Sequence, residues 1–277
     1  MINLKIENIQ ELKDIATRVR MNIVEMIYEA QSGHPGGSLS IADILTVLYF
    51  NEMNIDPLKP QDVNRDRCII SKGHASPALY SVLAEKGYFS KDMLKGFRKI
   101  DSNLQGHPDM NKVPGVDFSS GSLGQGLSIS NGMAIAAKLN KANYRVYCII
   151  GDGELEEGQI WESAMTSSHY KLDNICAIID ENGLQIDGKT SEVMNSDSIS
   201  EKFKSFGFYT IEIDGNNIEE IIRAFEQAKK IKEKPTAIIA KTIKGKGVSF
   251  MENQVGWNGK APNIEELEIA KKDLTKC

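Results

Sequence analysis

Three of the four histidines in this chain, His34, His74 and His107, each follow a glycine. Imidazole changes its charge near neutral pH, and a glycine-rich loop leaves it accessible, so such residues suit acid–base work and the binding of hydroxyl groups. One such histidine would ordinarily be a solvated loop residue, but three of four favour a functional site. His169, at the end of a predicted helix, is expected to be structural.

Polar residues also follow two apolar segments that are expected to be neighbouring strands. Val146–Ile150 runs into Asp152, and Asn182 follows the next such segment, thirty residues after Asp152. Parallel strands end at one edge of a sheet, so a carboxylate, an amide oxygen and a main-chain carbonyl can meet there. Mg²⁺ takes about six such oxygens and often draws the remainder from phosphates and water.

The glycines on either side of Asp152 would let a diphosphate approach the main chain, where the amide groups of a helix N-terminus can bind it. The alternative is a simple strand–turn–helix corner in which Asp152 caps the helix. The spacing to Asn182 favours the metal and diphosphate site. Among the lysines of segment 241–247, only Lys244 is expected to act there, as a point charge.

Alternating helices and strands must position these residues. The predicted helices are Ile9–Ile27, one from about Ser40, Ala75–Lys86, Gly121–Leu139, Glu154–His169 and Ile218–Lys230. The predicted strands are Cys68–Ile70, Tyr144–Ile150, Ile175–Asp180, Phe208–Ile213 and Thr236–Ala240. Apolar strands separated by helices predict an α/β fold, a mostly parallel sheet with helices on both faces. We expect residues 1–277 to form a single domain with a polar, helical tail from Pro262.

Composition limits the possible functions. The 277 residues are 41% hydrophobic and 26% charged, as in soluble globular proteins, and the net charge of −5 argues against a nucleic-acid partner. The four cysteines, Cys277 among them, form no C-x-x-C pair and are expected to be reduced, as in the cytoplasm. We expect no signal peptide and no membrane partner, because the most apolar stretch, Ile41–Phe50, is about half a membrane span.

The order of these motifs resembles the transketolase family. Gly151-Asp152-Gly153 with the later Asn182 is similar to the thiamine-diphosphate motif. Other similar segments occur in the family's order at residues 32–36 (SGHPG), 73–75 (GHA), 106–108 (GHP), 121–126 (GSLGQG) and 151–158 (GDGELEEG). The resemblance extends from about residue 10 to 262 and implies the family's thiamine-diphosphate-binding fold, its diphosphate-binding (PP) domain.

The resemblance also implies roles for individual residues. The metal, Mg²⁺ or Ca²⁺ or Mn²⁺ in its place, would be bound by Asp152, Asn182 and the carbonyl of Leu184. Thiamine diphosphate would be contacted by His74, Gly121, Ser122, Leu123, Gly153, Glu154, Asn182, Leu184, Lys244 and Asn258. The catalytic residues would be His34, His74, His107, Glu157 and Glu162. His34 and His107 would face the sugar hydroxyls, and the two glutamates would join two active sites across a dimer interface. For both glutamates the alternative is an exposed acidic helix face.

Two features depart from complete members of the family. Asn258 stands where transketolases normally have histidine, and asparagine cannot titrate near neutral pH. The chain also matches only the first domain, without the glutamate that acts on the cofactor's aminopyrimidine or the arginines that bind sugar phosphate. The implied protein is the N-terminal subunit of a split transketolase, a carbohydrate enzyme of the pentose phosphate type that transfers a two-carbon ketol unit between sugar phosphates. Its partner would be a C-terminal subunit of about 300 residues in an α₂β₂ assembly.

Three other functions are compatible with parts of the sequence. One is half of an enzyme like 1-deoxyxylulose-5-phosphate synthase, against which the Glu154–Gly158 segment and the short chain argue. Another is a non-catalytic subunit that holds the cofactor or regulates a partner, and the intact metal and histidine set argues against it. A simple phosphate-binding module would have no use for three loop histidines.

Overall fold

A parallel sheet forms the centre of the computed structural model, which describes residues 5–276. The strands are β1 Arg67–Ile70, β2 Val146–Gly151, β3 Ile175–Glu181, β4 Leu184–Gln185, β5 Gly188–Lys189, β6 Tyr209–Asp214 and β7 Thr236–Lys241. The α-helices are α1 Ile9–Ala30, α2 Pro35–Leu39, α3 Ala42–Val47, α4 Ser76–Lys86, α5 Gln125–Leu139, α6 Gly158–His169, α7 Thr190–Val193, α8 Ile199–Ser205, α9 Ile218–Lys230 and α10 Ile264–Leu274.

Five strands pair in the order β1-β2-β3-β7-β6, all in parallel, while β4 and β5 form a separate antiparallel hairpin. Alternate strand residues pack on opposite faces of the sheet. Ile149 and Ile178 belong to the core beneath α1, α3, α4 and α9, whereas Ile150 and Ile179 belong to the core beneath α5, α6 and α8. The predicted parallel sheet with helices on both faces is therefore confirmed.

Two predicted helices begin later in the structure than expected, in each case because a loop of the candidate site intervenes. The helix expected over Gly121–Leu139 begins only at Gln125, because Gly124 has a left-handed φ of 84°. The helix expected from Glu154 begins at Gly158, after a 3₁₀ turn. The helix expected from about Ser40 begins at Ala42 as α3, and Pro35 begins a separate short helix, α2, within the glycine-rich loop that precedes it.

The other predicted helices and strands are present within about three residues of their expected bounds, whereas α7, α8 and the hairpin of β4 and β5 were not predicted. The tail forms α10, whose first turn is closed by reciprocal hydrogen bonds between Asn263 and Glu266. Cys68, Cys148 and Cys176 are buried free thiols, and Cys277 lies outside the described residues. Within residues 5–276, no helix has both the length and the apolar character needed to cross a bilayer.

Candidate active site

The carboxyl ends of β2, β3 and β7 meet at one edge of the sheet. Gly151 at the end of β2 lies opposite Asp180 of β3, and Asp180 lies opposite Ala240 of β7. Asp152 and Asn182 therefore follow neighbouring strands, which is the arrangement their spacing predicts.

A cavity of about 200 Å³ opens at this edge. Most of the residues singled out from the sequence line it: His34, His74, Leu123, Asp152, Gly153, Glu154, Asn182, Leu184, Lys244 and Asn258. Gly151, one of the two glycines expected to let a diphosphate approach, also lines it. Gly37, Lys72, Gln185 and Ile186 line it as well, and these four were not singled out from the sequence. A lining that combines charged and polar groups with Leu123, Leu184 and Ile186 suits a polar ligand with an apolar part.

Asp152 is a buried carboxylate that lacks a cationic partner at hydrogen-bonding distance among the described residues. Its Oδ1 accepts the main-chain N–H of Gly153 at 2.9 Å, and its Oδ2 accepts that of Gly183 at 2.6 Å. Burial, with the nearby Asp180 carboxylate, raises the pKa of Asp152 to about 7. A divalent cation beside Asp152 would favour its ionised form, so this carboxylate fits a metal ligand.

The two other proposed metal ligands lie in the same cavity. The side-chain N–H of Asn182 donates to Asp180 Oδ2 at 2.9 Å, and its carbonyl oxygen accepts the N–H of Leu184 at 3.2 Å. The carbonyl of Leu184 accepts a hydrogen bond from Lys244 Nζ at 3.1 Å. Asp152, Asn182 and Leu184 thus offer hard oxygen donors of the kind that Mg²⁺ binds. Among residues 5–276 no cluster of three or more His, Cys, Asp or Glu side chains suits a metal, so any site here depends on amide and main-chain oxygens.

A buried ion pair supports this edge of the sheet. Lys72 Nζ lies 2.6 Å from Asp180 Oδ2, and the two side chains are 3% and 0% exposed. Burial would raise the pKa of Asp180, but Lys72 and the hydrogen bonds from Thr242 and Asn182 outweigh it and lower that pKa. Neither Lys72 nor Asp180 was singled out from the sequence. The sequence pattern could have identified Asp180, because an acidic residue at the end of an apolar strand needs a buried partner.

The three loop histidines converge near the cavity. The rings of His34 and His74 have centroids 5.2 Å apart, and His107 lies beside Gly121. Burial, with nearby cationic groups, lowers the pKa of His34 to about 4 and that of His74 to about 3. Burial and Arg98 lower the pKa of His107 as well. At neutral pH these imidazoles are therefore uncharged, and each can both donate and accept a hydrogen bond.

His34 has a free hydrogen-bonding atom. Its Nδ1 is buried and has no hydrogen-bond partner among the described residues. Arg98, which the sequence did not single out, donates from Nη1 to Ser32 Oγ at 2.8 Å and so braces the loop that carries His34. A buried ring nitrogen without a partner is consistent with a ligand-binding role for His34.

Lys244 and Asn258 form a hydrogen-bonded pair in the cavity. Lys244 Nζ donates to Asn258 Oδ1 at 2.9 Å, and burial together with Lys72 lowers the pKa of Lys244 to about 8. The other two lysines of the segment lie near exposed or half-buried acids instead, Lys241 at 3.6 Å from Glu212 and Lys246 at 3.7 Å from Glu252.

The predicted glutamates fall into two groups. The Glu154 carboxylate is buried and accepts hydrogen bonds from Ser71 Oγ and from the main-chain N–H groups of Gly124, at 2.8 Å, and Gly151, at 3.0 Å. It therefore fixes the loops around the cavity. Glu157 and Glu162 are exposed and do not line the cavity.

Gly121 and Ser122 lie next to the cavity rather than in its lining. The loop that carries them passes close to Gly73. A Cβ on Gly73 would lie 2.8 Å from Ser120 Oγ and 2.9 Å from the main-chain nitrogen of Gly121. Glycine is needed at position 73 because the two loops approach so closely.

The family model for the thiamine diphosphate binding domain of transketolase matches residues 11–275. The chain belongs to the transketolase family. It is 44% identical to an apulose-4-phosphate transketolase subunit from Phocaeicola vulgatus, over 93% of this chain and 91% of that protein. It is 42% identical to the 6-deoxy-6-sulfo-D-fructose transketolase subunit SqwG from a Clostridium species, over 96% of this chain and 97% of that protein.

Solved transketolases share the fold. The crystal structure of transketolase from Campylobacter jejuni superposes with a TM-score of 0.92 at 38% identity, covering 97% of this chain and 43% of that one. The chain therefore spans about two fifths of that single-chain transketolase and nearly the full length of the two subunits. The prediction that it corresponds to the N-terminal subunit of a split transketolase is confirmed.

Proposed function

We propose that this chain is the cofactor-binding subunit of an enzyme that transfers a two-carbon ketol unit from a ketose phosphate to an aldose phosphate. The observation that carries the proposal is a single cavity in a transketolase domain. It is lined by Asp152, Asn182, Leu184, Lys244, His34 and His74. When bound, thiamine diphosphate would supply the carbon nucleophile and the electron sink for C–C bond cleavage.

In this proposal the carboxyl edge of the sheet holds the cofactor's diphosphate. Asp152, Asn182 and the Leu184 carbonyl would bind Mg²⁺, or Ca²⁺ or Mn²⁺ in its place, while Lys244 adds a further positive charge. The cofactor contacts would come from His74, Gly121, Ser122, Leu123, Gly153, Glu154, Asn182, Leu184, Lys244 and Asn258. The close approach of the loops that carry Gly73 and Gly121 supports a main-chain role for the glycines.

The histidines would act on the substrate. His34 and His107 would hydrogen-bond the sugar hydroxyls, and His74 would hold the cofactor beside them. Their lowered pKa values support this role, because an uncharged imidazole can accept a hydrogen bond from a hydroxyl at one ring nitrogen and donate a hydrogen bond from the other. The partnerless Nδ1 of His34 among the described residues is available for such a bond.

The cavity would be completed by a second polypeptide. Leu123 and Ile186, at its lining, remain 36% and 71% exposed, which leaves apolar surface for another domain to cover. We propose a C-terminal subunit of about 300 residues, the size of two domains, in an α₂β₂ assembly. The exposed Glu157 and Glu162 would lie at the contact between the two copies of this chain.

The substrates are proposed to be sugar phosphates or related modified sugars. Relatives of similar length are named for apulose 4-phosphate and for 6-deoxy-6-sulfo-D-fructose, so a standard pentose phosphate reaction is one of several possibilities. Asn258, hydrogen-bonded to Lys244 in the cavity, is the residue we propose adapts this site to its sugar. Reduced, buried cysteines support a cytoplasmic location.

The test is reconstitution of the enzyme. The purified chain, its C-terminal partner and their mixture would be assayed for ketol transfer with thiamine diphosphate and Mg²⁺. We expect activity only in the mixture, because each subunit would carry part of the site. Full activity of the partner alone would instead identify this chain as a regulatory subunit, and full activity of the chain alone would contradict the divided site.

A further inference from the structure

A second cavity, of about 400 Å³, lies at the opposite edge of the sheet. Asp66 and Arg145, two of its lining residues, immediately precede β1 and β2. Asp152 follows the other end of β2, a six-residue strand, so about 20 Å separates this cavity from the candidate active site. The two cavities share no lining residue.

The acidic groups of this cavity already have hydrogen-bond partners. Glu52 accepts the hydroxyl of Tyr147 at 2.8 Å and the ammonium of Lys229 at 2.7 Å, one on each oxygen. Asp66 accepts two main-chain N–H groups, those of Asn54 and Arg145, each at 2.7 Å. Both carboxylates are therefore engaged by groups other than the Arg145 guanidinium.

The cavity therefore carries excess positive charge. Its lining includes four cationic side chains against two acidic ones, and the four are Lys5, Lys141, Arg145 and Lys229. Lys229 is paired with Glu52, and Lys5 Nζ donates to the main-chain carbonyl of Glu52 at 2.6 Å. Lys141 is exposed at the rim. A cluster of this kind attracts anions.

Arg145 gives the cavity a specific binding group. Its Nε and Nη2 atoms are buried and have no hydrogen-bond partner among residues 5–276. Leaving buried N–H groups without acceptors is costly, and the guanidinium fork matches two oxygens of a phosphate. Both atoms are shielded from solvent, so a phosphate in the cavity would satisfy their N–H groups once the Arg145 side chain turns towards it.

We propose that this cavity is a second ligand site, which binds a phosphate group through Arg145 and Lys141. Its volume is within the range of small-molecule sites and exceeds what a bare phosphate fills, so a small phosphate monoester fits as well as the free ion. The site is joined to the candidate active site by β2, and it does not depend on the function proposed above.

The test is calorimetric titration of the full chain with two probes, inorganic phosphate and glycerol 3-phosphate, a monoester without the carbonyl group of a ketose or aldose substrate. We expect both to bind, and the tighter one identifies whether the free ion or a monoester is preferred. Arg145→Gln should weaken binding by about tenfold or more, through the loss of two charge-assisted hydrogen bonds, and Lys141→Gln by about threefold. Lys141 is exposed, so its replacement leaves the fold intact even if Arg145→Gln does not.

Two matched variants serve as controls. Arg223→Gln removes the same charge from an exposed position on α9, and Lys244→Gln removes a cation from the candidate active site. Both should leave the affinity of the binding that depends on Arg145 within about twofold of the wild-type value. The proposal is overturned if neither probe binds the wild-type chain, if affinity follows Lys244 rather than Arg145, or if folded Arg145→Gln and Lys141→Gln bind as well as the wild type.

Discussion

Replacing Lys72 with methionine should destabilise the protein strongly. The substitution removes the ammonium that lies 2.6 Å from Asp180 Oδ2 and leaves that carboxylate fully buried without a cation. Breaking a buried ion pair by removing one partner costs about 3–5 kcal/mol. Asp180 keeps hydrogen bonds from Ser40, Asn182 and Thr242, so we expect the lower end, about 3 kcal/mol.

This loss can be measured as a change in unfolding temperature and in its pH dependence. For a chain of this size, about 3 kcal/mol corresponds to a fall of roughly 6–12 °C. In the wild type, Lys72 and its hydrogen-bonding neighbours lower the pKa of Asp180, so this group stabilises the fold above the unfolded-state pKa. In Lys72→Met the carboxylate instead costs free energy while it is ionised. The difference in the free energy of unfolding between the variant and the wild type should therefore become smaller as the pH falls towards 5.

Lys241→Met is the matched control, because Lys241 is exposed at the end of β7, 3.6 Å from an exposed Glu212. Its loss should change the free energy of unfolding by less than about 0.5 kcal/mol. A Lys72→Met variant that loses under about 1 kcal/mol would refute this reasoning, because Asp180 would then not carry the cost of a buried charge without a partner. A deficit that does not depend on pH would contradict the role given to Asp180.

Three further outcomes are expected. Glu154→Gln should lower the free energy of unfolding, measured in urea, by about 1–3 kcal/mol, because an amide cannot accept all three hydrogen bonds that Glu154 receives from Ser71, Gly124 and Gly151. If stability is not lost, the loops do not depend on this carboxylate. The free energy of unfolding of the wild type should fall as the pH drops from about 6.5 towards 4, because His74 is protonated at a higher pH in the unfolded chain than in the folded one. In thermal unfolding, His74→Asn should make this fall less steep, and an equal slope would show that His74 does not cause it. Asn258→His should shift sugar specificity of the reconstituted enzyme by more than about twofold, or about 0.4 kcal/mol, and a smaller shift would mean that the residue does not discriminate.

Much of the fold follows from the sequence because its strands are apolar throughout. Continuous runs such as Ile175–Asp180 leave no face for water, so helices must cover both sides. Helix starts were less predictable at Gly121 and Glu154. There the loops are shaped by long-range contacts, such as Glu154 with the main chain of Gly124, which no local pattern encodes.

Some features of the candidate site could likewise be predicted from the sequence, and others could not. The edge that joins Asp152 to Asn182 follows from strand spacing and parallel pairing, both visible in the sequence. Lys72 and Arg98 act by supporting the loops, and their partners are distant in the chain, Asp180 and Ser32 respectively. Such pairs become evident only when the fold brings them together. The low pKa of His74 likewise depends on burial, which residue type alone does not reveal.

The most direct test of the central claim is calorimetric titration of the purified chain with thiamine diphosphate, with and without Mg²⁺. We expect binding that requires the metal and weakens by roughly a hundredfold or more in Asp152→Ala, since a metal ligand and its charge are lost. Asp187→Ala, which removes a carboxylate outside the cavity lining, should bind as the wild type does. Metal-independent binding, or unchanged affinity in Asp152→Ala, would contradict the assignment of this edge of the sheet as the cofactor site.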